Sequence, residues 1–413
     1  MSKFTERLAN ISPEQRLLLE IELRKKGYSL PSVRQTDAAA GDGPPVAREA
    51  TEARARRRSS TGGMRFSLFF FSDDRPEAAG GKYDLLFAAA RFADQNGFAA
   101  VWTPERHFQN FGGLYPNPSV LGAALAMITE RLQIRAGSVT LPLHHPIRVA
   151  EEWAVVDNIS NGRVGVSLAS GWHAGDFVLS PQDYHRRREV MFSGLEIIQK
   201  LWAGDGVTFP GVDGTEVEVK ILPKPVQPRL PVWITSAGNP DTWARAGAVG
   251  ANVLTGMQRE TFESLRKKVE LYRRSRAEHG HDPRSGVVTL MLHTFLGESD
   301  GAVKQVVKPA LVDYLKSFVK QSENEARRSV ERQVRNRTDE ENELGVAATF
   351  EYYFKQNSLL GSVEKCSEMV DNLIDTGIDE VACLIDFGLD TPTVLDGLRH
   401  LNELKERFRP AAG

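Results

Sequence analysis

The chain has 413 residues, 41% of them hydrophobic and 26% charged, which is the composition of a soluble globular protein. Its 52 basic and 54 acidic residues leave a net charge of −2, which gives none of the basic footprint of a nucleic-acid binder or of a protein held on an anionic membrane. Two cysteines, Cys366 and Cys383, form neither a disulfide framework nor a C-x-x-C metal spacing, and they fit a reducing cytoplasm.

The first residues, "MSKFTERLANISPEQ", lack the apolar core of a signal peptide, and no window approaches the ~18–20 apolar residues that span a bilayer. A helix is expected over 12–27, with Ser12 and Gln15 as a capping box, Pro13 in the first turn and Gly27 at the end. Leu17, Leu18, Ile21 and Leu23 give it an apolar side. Residues 34–63 are rich in Ala, Gly, Pro and Arg and lack large apolar residues, so they read as a linker. Its Arg54, Arg56, Arg57 and Arg58 read as a solvated run. The division expected is therefore 1–33 as a helical linker or docking segment, 34–63 as a disordered linker and 64–413 as the main domain.

From Met64 onward, short apolar runs alternate with amphipathic stretches. Strands are expected at 65–71, 98–103, 132–141, 164–170, 231–237, 251–256, 287–297 and 380–387. Helices are expected at 84–96, 119–130, 146–160, 186–202, 259–279 and 391–408. Eight near-continuously apolar strands alternating with helices specify the α/β class, as a closed parallel (β/α)8 TIM barrel rather than an open doubly wound sheet. Two insertions interrupt the alternation. Residues 204–224 read as a hairpin, and 300–360 as a long charged helical segment between strands seven and eight, either a solvent-facing helix pair or a lid.

Barrels of this kind carry their sites at the C-terminal strand ends. Strand two ends in Glu105-Arg106-His107, strand three near Gly137-Ser138 with His144 and His145 just beyond, and strand four in Ser170-Gly171-Trp172-His173. Strand five ends in Ser236-Ala237-Gly238-Asn239, strand seven carries His293 and strand eight carries Asp386. Glu105, Arg106 and His107, packed together at a strand end, are the catalytic candidates. At least one of His144 and His145 is expected to be structural. "ASGWHAGDF" (169–177) is either a tight turn capped by two aromatics or a stacking platform for a planar cofactor. "TSAGNPDTWARAG" (235–247) is either an ordinary turn or a phosphate seat built from small residues and a helix N-terminus. No G-x-G-x-x-G follows a strand and no P-loop is present.

Together these segments resemble the bacterial luciferase-like flavin monooxygenases. The likeness rests on "AVWTPERHFQNFGGLYPNP", "AGSVTLPLHHPIRVAEEWAVVDNISNGRVGVSLASGWHAGDF" and "PVWITSAGNPDTWARAGAVGANVL", and it covers about 64–300 and 345–408. "GSVEKCSEMVDNLIDTGIDEVACLIDFG" is similar to the subgroup associated with polyketide and nonribosomal-peptide assembly lines. "ISPEQRLLLEIELRKKG" is similar to the linker helices of those megasynthases.

The resemblance implies a barrel that takes reduced FMN from a separate flavin reductase and uses O2 to oxygenate, most simply hydroxylate, an acyl or aminoacyl intermediate, free or bound to a carrier protein. It implies flavin contacts at Gly137, Ser138, Ser170, Gly171, Trp172, Ser236, Ala237, Gly238 and Asn239, with Asp241 a further phosphate candidate. It also implies a non-proline cis peptide at Gly137-Ser138, walls at Phe69, Trp172 and Phe177, no metal, and a possible homodimer. One departure is instructive. Luciferases carry Glu-His-His-Phe where this chain has Glu105-Arg106-His107-Phe108, and the first of those histidines is their base. An arginine cannot take that role, so light emission from a long-chain aldehyde is not expected and His107 becomes the proton-handling candidate. The luciferase phosphate arginine is replaced by Ser170, with Arg188 considered as a substitute. Two alternatives stand beside this reading: a deazaflavin-dependent hydride-transfer enzyme on the same barrel, and a flavin-binding protein without turnover.

Overall fold

The computed structural model describes residues 63–74, 81–236, 238–257, 260–328 and 339–409, with only the helical backbone described for 318–328 and 339–344. The expected helix at 12–27 and the linker up to residue 62 lie outside the described residues.

The eight expected strands all form: β1 (Arg65–Phe69), β2 (Ala100–Thr103), β3 (Gln133–Thr140), β4 (Val164–Ala169), β5 (Val232–Thr235), β6 (Asn252–Gly256), β7 (Val288–Leu296) and β8 (Glu380–Leu384). All pair in parallel with their neighbours, and β7 pairs with both β6 and β8, which closes the sheet into a barrel. The expected hairpin is Val207–Pro210 against Glu216–Val219. A short strand that the pattern did not announce, Leu359–Gly361, adds to the outer end of β7.

Ten helices are described. Around the barrel run α1 (Asp84–Gln95), α2 (Pro118–Ala126), α3 (Pro146–Ser160), α4 (Arg187–Ala203), α5 (Pro240–Ala248) and α6 (Phe262–Glu278). The insertion contributes α7 (Asp300–Arg328) and α8 (Asp339–Gln356), followed by α9 (Val363–Thr376) and α10 (Thr391–Arg407). Local chemistry fixes several starts. Asn117, Asn239, Ser362 and Asp390 each accept a backbone N–H of the helix they precede, and Pro118, Pro240 and Pro392 sit where a missing N–H costs nothing.

Most elements begin or end a few residues from the expected bounds, and two of these ends share a cause. β1 stops at Phe69 and β8 at Leu384, short of 71 and 387. The Asp386 carboxylate takes the Phe71 N–H at 2.6 Å, so a side chain replaces the ladder at this corner.

Two apolar layers result. One lies between strands and surrounding helices. The other fills the barrel interior and its C-terminal mouth, where Phe69, Trp102, Trp233 and Phe387 meet Val303, Val307, Leu311 and Tyr314 of α7 and Phe350 and Phe354 of α8. The insertion is therefore not a solvent-facing pair. The charged middle at 322–343 drew attention away from the flanks, which carry an apolar stripe at helical spacing and lay it over the mouth.

Candidate active site at the barrel mouth

Glu105 follows β2 directly and is buried, and three hydrogen bonds hold it. His107 Nε2 lies 2.8 Å and His144 Nε2 2.5 Å from Oε1, and the Thr140 N–H donates to Oε2 at 2.8 Å. Burial raises a carboxyl pKa, but here the two imidazole bonds, the His144 charge and the Thr140 amide outweigh it and leave Glu105 below its usual value. On His144, desolvation is outweighed by the Glu105 hydrogen bond and by the Glu105 and Glu152 charges, so its pKa is raised. The acceptor atoms of Glu105, His107 and His144 lie within 4.8 Å of one another, a spacing that a metal ion could use. Two ligands on a tetrahedral zinc would stand about 3.4 Å apart. The 2.5 and 2.8 Å separations are those of protons shared with one carboxylate oxygen. An ionised Glu105 requires the His107 proton on Nε2, which leaves Nδ1 as the free acceptor of the neutral ring.

Arg106 points elsewhere. It is buried, 3.7 Å from Asp176, with its guanidinium 5.9 Å from the Phe71 ring centre and 5.3 Å from that of Trp172. Asp176 also lies 3.2 Å from His173 Nδ1. The "SGWHAGDF" loop thus supplies the counter-charge of Arg106. In this loop Phe177 is buried, whereas Trp172 is 54% exposed and stands on the rim. Phe108 is 64% exposed and adopts φ 57°.

The Gly137-Ser138 bond is cis. A side chain at Gly137 would come within 2.8 Å of the Phe69 ring and 3.0 Å of Trp102, so only glycine lets the backbone lie this close to the mouth. Ser138 bonds Thr235, whose hydroxyl is 2.7 Å from Ser167, and this chain of hydroxyls ties β3, β4 and β5 together. Ser170 and Gly171 follow β4, and Arg187 donates to the Gly171 carbonyl at 3.2 Å. Arg188, the residue considered from sequence, is exposed on α4.

Ser236 is buried, Asn239 caps α5, and Ala237 lies outside the described residues. Gly238 has φ 120°, and a Cβ there would meet Glu260 Oε1 at 2.7 Å and Lys268 Nζ at 3.4 Å. Lys268, ion-paired with Glu260, is the buried cation beside this turn. It sits in the second turn of α6, and nothing in its local sequence announced it.

The mouth also holds Asp386, which burial drives up to about 8 although the Phe71 N–H and the Tyr115 hydroxyl (2.9 Å) oppose that. His293 on β7 is buried, and burial pushes its pKa down to about 4.

A closed parallel barrel with an acid-held imidazole, a third strand packed close on Phe69 and Trp102 through Gly137, and a helix N-terminus beside the Lys268–Glu260 pair at one rim is a candidate ligand site in the place where TIM barrels carry theirs. The family profile of luciferase-like monooxygenases matches residues 64–380, and the chain belongs to that family. It is 27% identical over 357 residues, 84% of this chain and 96% of the relative, to the oxygenase component of the flavin-dependent trigonelline monooxygenase of Acinetobacter baylyi. The monooxygenase RslO1 from Streptomyces bottropensis superposes with a TM-score of 0.67 at 22% identity, covering 82% of this chain and 98% of that one. The oxygenating constituent of 3,6-diketocamphane monooxygenase from Pseudomonas putida, a complex with FMN, gives 0.63 at 17%, covering 85% and 99%. At these identities the two structures speak for the fold. Among the described residues no helix is long and apolar enough to cross a membrane.

Proposed function

We propose that this chain is the oxygenase of a two-component system. It takes reduced FMN from a separate reductase and uses O2 to oxygenate an intermediate of polyketide or nonribosomal-peptide assembly, free or held on a carrier protein. The observation that carries this reading is the Glu105-anchored His107 beside the glycine-backed third strand, in a chain of a monooxygenase family.

The residues fit the cofactor. Gly137 lets the third strand pack against the Phe69 and Trp102 rings, and Ser138, partly exposed at the same strand end, would face the cofactor. Ser236, Gly238, the α5 N-terminus capped by Asn239, and Lys268 would hold a phosphate, with Ser170 and Gly171 on the neighbouring strand end. Bound there, reduced FMN supplies the electrons that activate O2. The chain's own residues do the rest. Glu105 fixes the His107 tautomer, so that Nδ1 takes up or returns a proton. Arg106, matched by Asp176, adds a fixed positive charge that is not available as a base. Helices α7 and α8 cover the mouth and keep water from the reacting groups.

The deciding experiment is intact mass spectrometry of carrier-bound acyl and aminoacyl groups after incubation with enzyme, FMN, reductase and O2. A gain of one oxygen atom is expected. His107→Ala should lower product formation about 10²–10⁴-fold with FMN affinity retained, and normal turnover by that variant sinks the assignment. Parallel titration with FMN and a deazaflavin separates the hydride-transfer alternative. Residues 1–33 are proposed as a docking segment, and a truncation that leaves carrier binding and turnover unchanged removes that role.

A further inference from the structure

His293 has no part in the proton handling above. On β7, Met291 and Phe295 pack with the interior cluster while Leu290, Leu292 and Leu296 belong to the helix-facing layer, so strand alternation turns His293 inward. It is 3% exposed, and its Nε2 has no hydrogen-bond partner among the described residues. Three rings stand edge-on around it: Tyr314 of α7 at 5.1 Å, Tyr353 of α8 at 5.5 Å and Phe387 at 5.9 Å. Burial keeps the imidazole neutral at physiological pH.

A buried nitrogen without a partner destabilises the free protein, and a phenylalanine would fill much the same space without that cost. Two of the three rings, Tyr314 and Tyr353, belong to the insertion helices α7 and α8, so a shift of either helix would change what stands against the imidazole. We propose that His293 Nε2 anchors the substrate, and that the part of the substrate entering the mouth is an uncharged aromatic ring bearing a hydroxyl or carbonyl oxygen, which replaces a tyrosine ring of the insertion. Ring edges select a ring by quadrupole contact. In a neutral imidazole Nε2 offers one hydrogen bond, as donor or acceptor according to the tautomer, and no charge. An ionised substrate group beside it would lose its hydration without a counter-ion.

The proposal rests on the reading of the mouth as an oxygenase site, and its test keeps the two apart. The protein loaded with oxidised FMN is titrated with phenol, toluene and benzoate, and the labelled imidazole resonance of His293 is followed by NMR. Phenol is expected to bind about tenfold tighter than toluene and to shift the His293 signal, with benzoate weaker than phenol. His293→Phe should abolish the preference for phenol, keep FMN affinity and melt roughly 2 °C higher. An unmoved His293 signal in the wild-type protein, no binding of phenol, benzoate binding best, or a phenol preference retained by His293→Phe overturns the proposal. The wild-type signal decides even if the variant does not fold. Loss of FMN binding by the wild type would instead strike the flavin reading itself.

Discussion

The barrel interior holds polar groups at both ends, and the two ends treat them differently. Near the N-terminal end, Arg135 of β3 and Glu380 of β8 form a buried pair at 2.8 Å. The guanidinium lies against the edge-to-face pair of Trp102 and Trp233, 4.9 and 4.4 Å from their ring centres. Ser67 donates to Glu380 and receives the Trp102 indole N–H, and Trp233 donates to Thr289. Each of these groups answers another within the protein. At the C-terminal mouth, His293 Nε2 has no partner among the described residues, burial pushes the Asp386 carboxyl up to about 8, and Phe108 occupies a left-handed backbone conformation. The same eight strands therefore carry a satisfied plug at one end and a costly arrangement at the other. Costs of the second kind persist where binding or chemistry recovers them.

The comparison breaks if damage to the plug affects ligand binding, or damage to the mouth affects only stability. Glu380→Ala leaves the Arg135 charge buried and should cost about 3–5 kcal/mol in a denaturant melt, with FMN affinity per folded molecule unchanged. Replacing both partners by apolar residues should cost much less, because no charge is stranded. Glu105→Gln is the matching change at the mouth. It should lower turnover about 10²-fold by freeing the His107 tautomer, with a smaller loss of stability.

The pH dependence of the mouth follows from the direction of its shifts. Glu105, lowered, contributes stability that is present above its unfolded pKa and lost as acid reaches its folded one. His144, raised, contributes below its unfolded pKa and loses that contribution as pH rises through its folded pKa. Asp386 is raised from 3.8 to about 8, so stability falls as pH climbs through that interval while the unfolded chain ionises and the folded chain does not. Asp386→Asn should flatten the decline between those limits in melts recorded across pH. An unchanged slope would show that the carboxyl ionises freely in the folded protein.

The two ends also differ in how far they could be read from sequence. Strand order, the hairpin and the closed barrel follow from local alternation, and the candidate "ERH" stands out because it ends an apolar strand. Partners brought together by barrel closure did not. Glu105 and His144 are 39 residues apart, and Asp386 caps the β1 corner from 315 residues away. His144 looked like a helix-start residue; its bond to Glu105 depends on how β2 and β3 lie side by side. Lys268 reads as one lysine among the many charges of α6, and His293 as one polar residue in an apolar strand. Periodicity reports which face a residue takes, not which residue from another element it meets there.

Phe108 gives the smallest expected effect and the finest test of the comparison. Its φ of 57° is a conformation that a side chain raises in energy and glycine does not. Phe108→Gly relieves that strain but loosens the unfolded chain, so the two effects nearly cancel and stability should stay within about 0.5 kcal/mol. Phe108→Val keeps an apolar group but adds a β-branch where φ is positive, and should cost about 1 kcal/mol or more. The ring is 64% exposed and lies 5.5 Å from the His107 ring, so neither change removes much buried area. A difference between the two variants in thermal melts therefore reports the backbone alone. If they melt together, the turn after His107 relaxes without cost, and the strain at the mouth reduces to the buried groups His293 and Asp386.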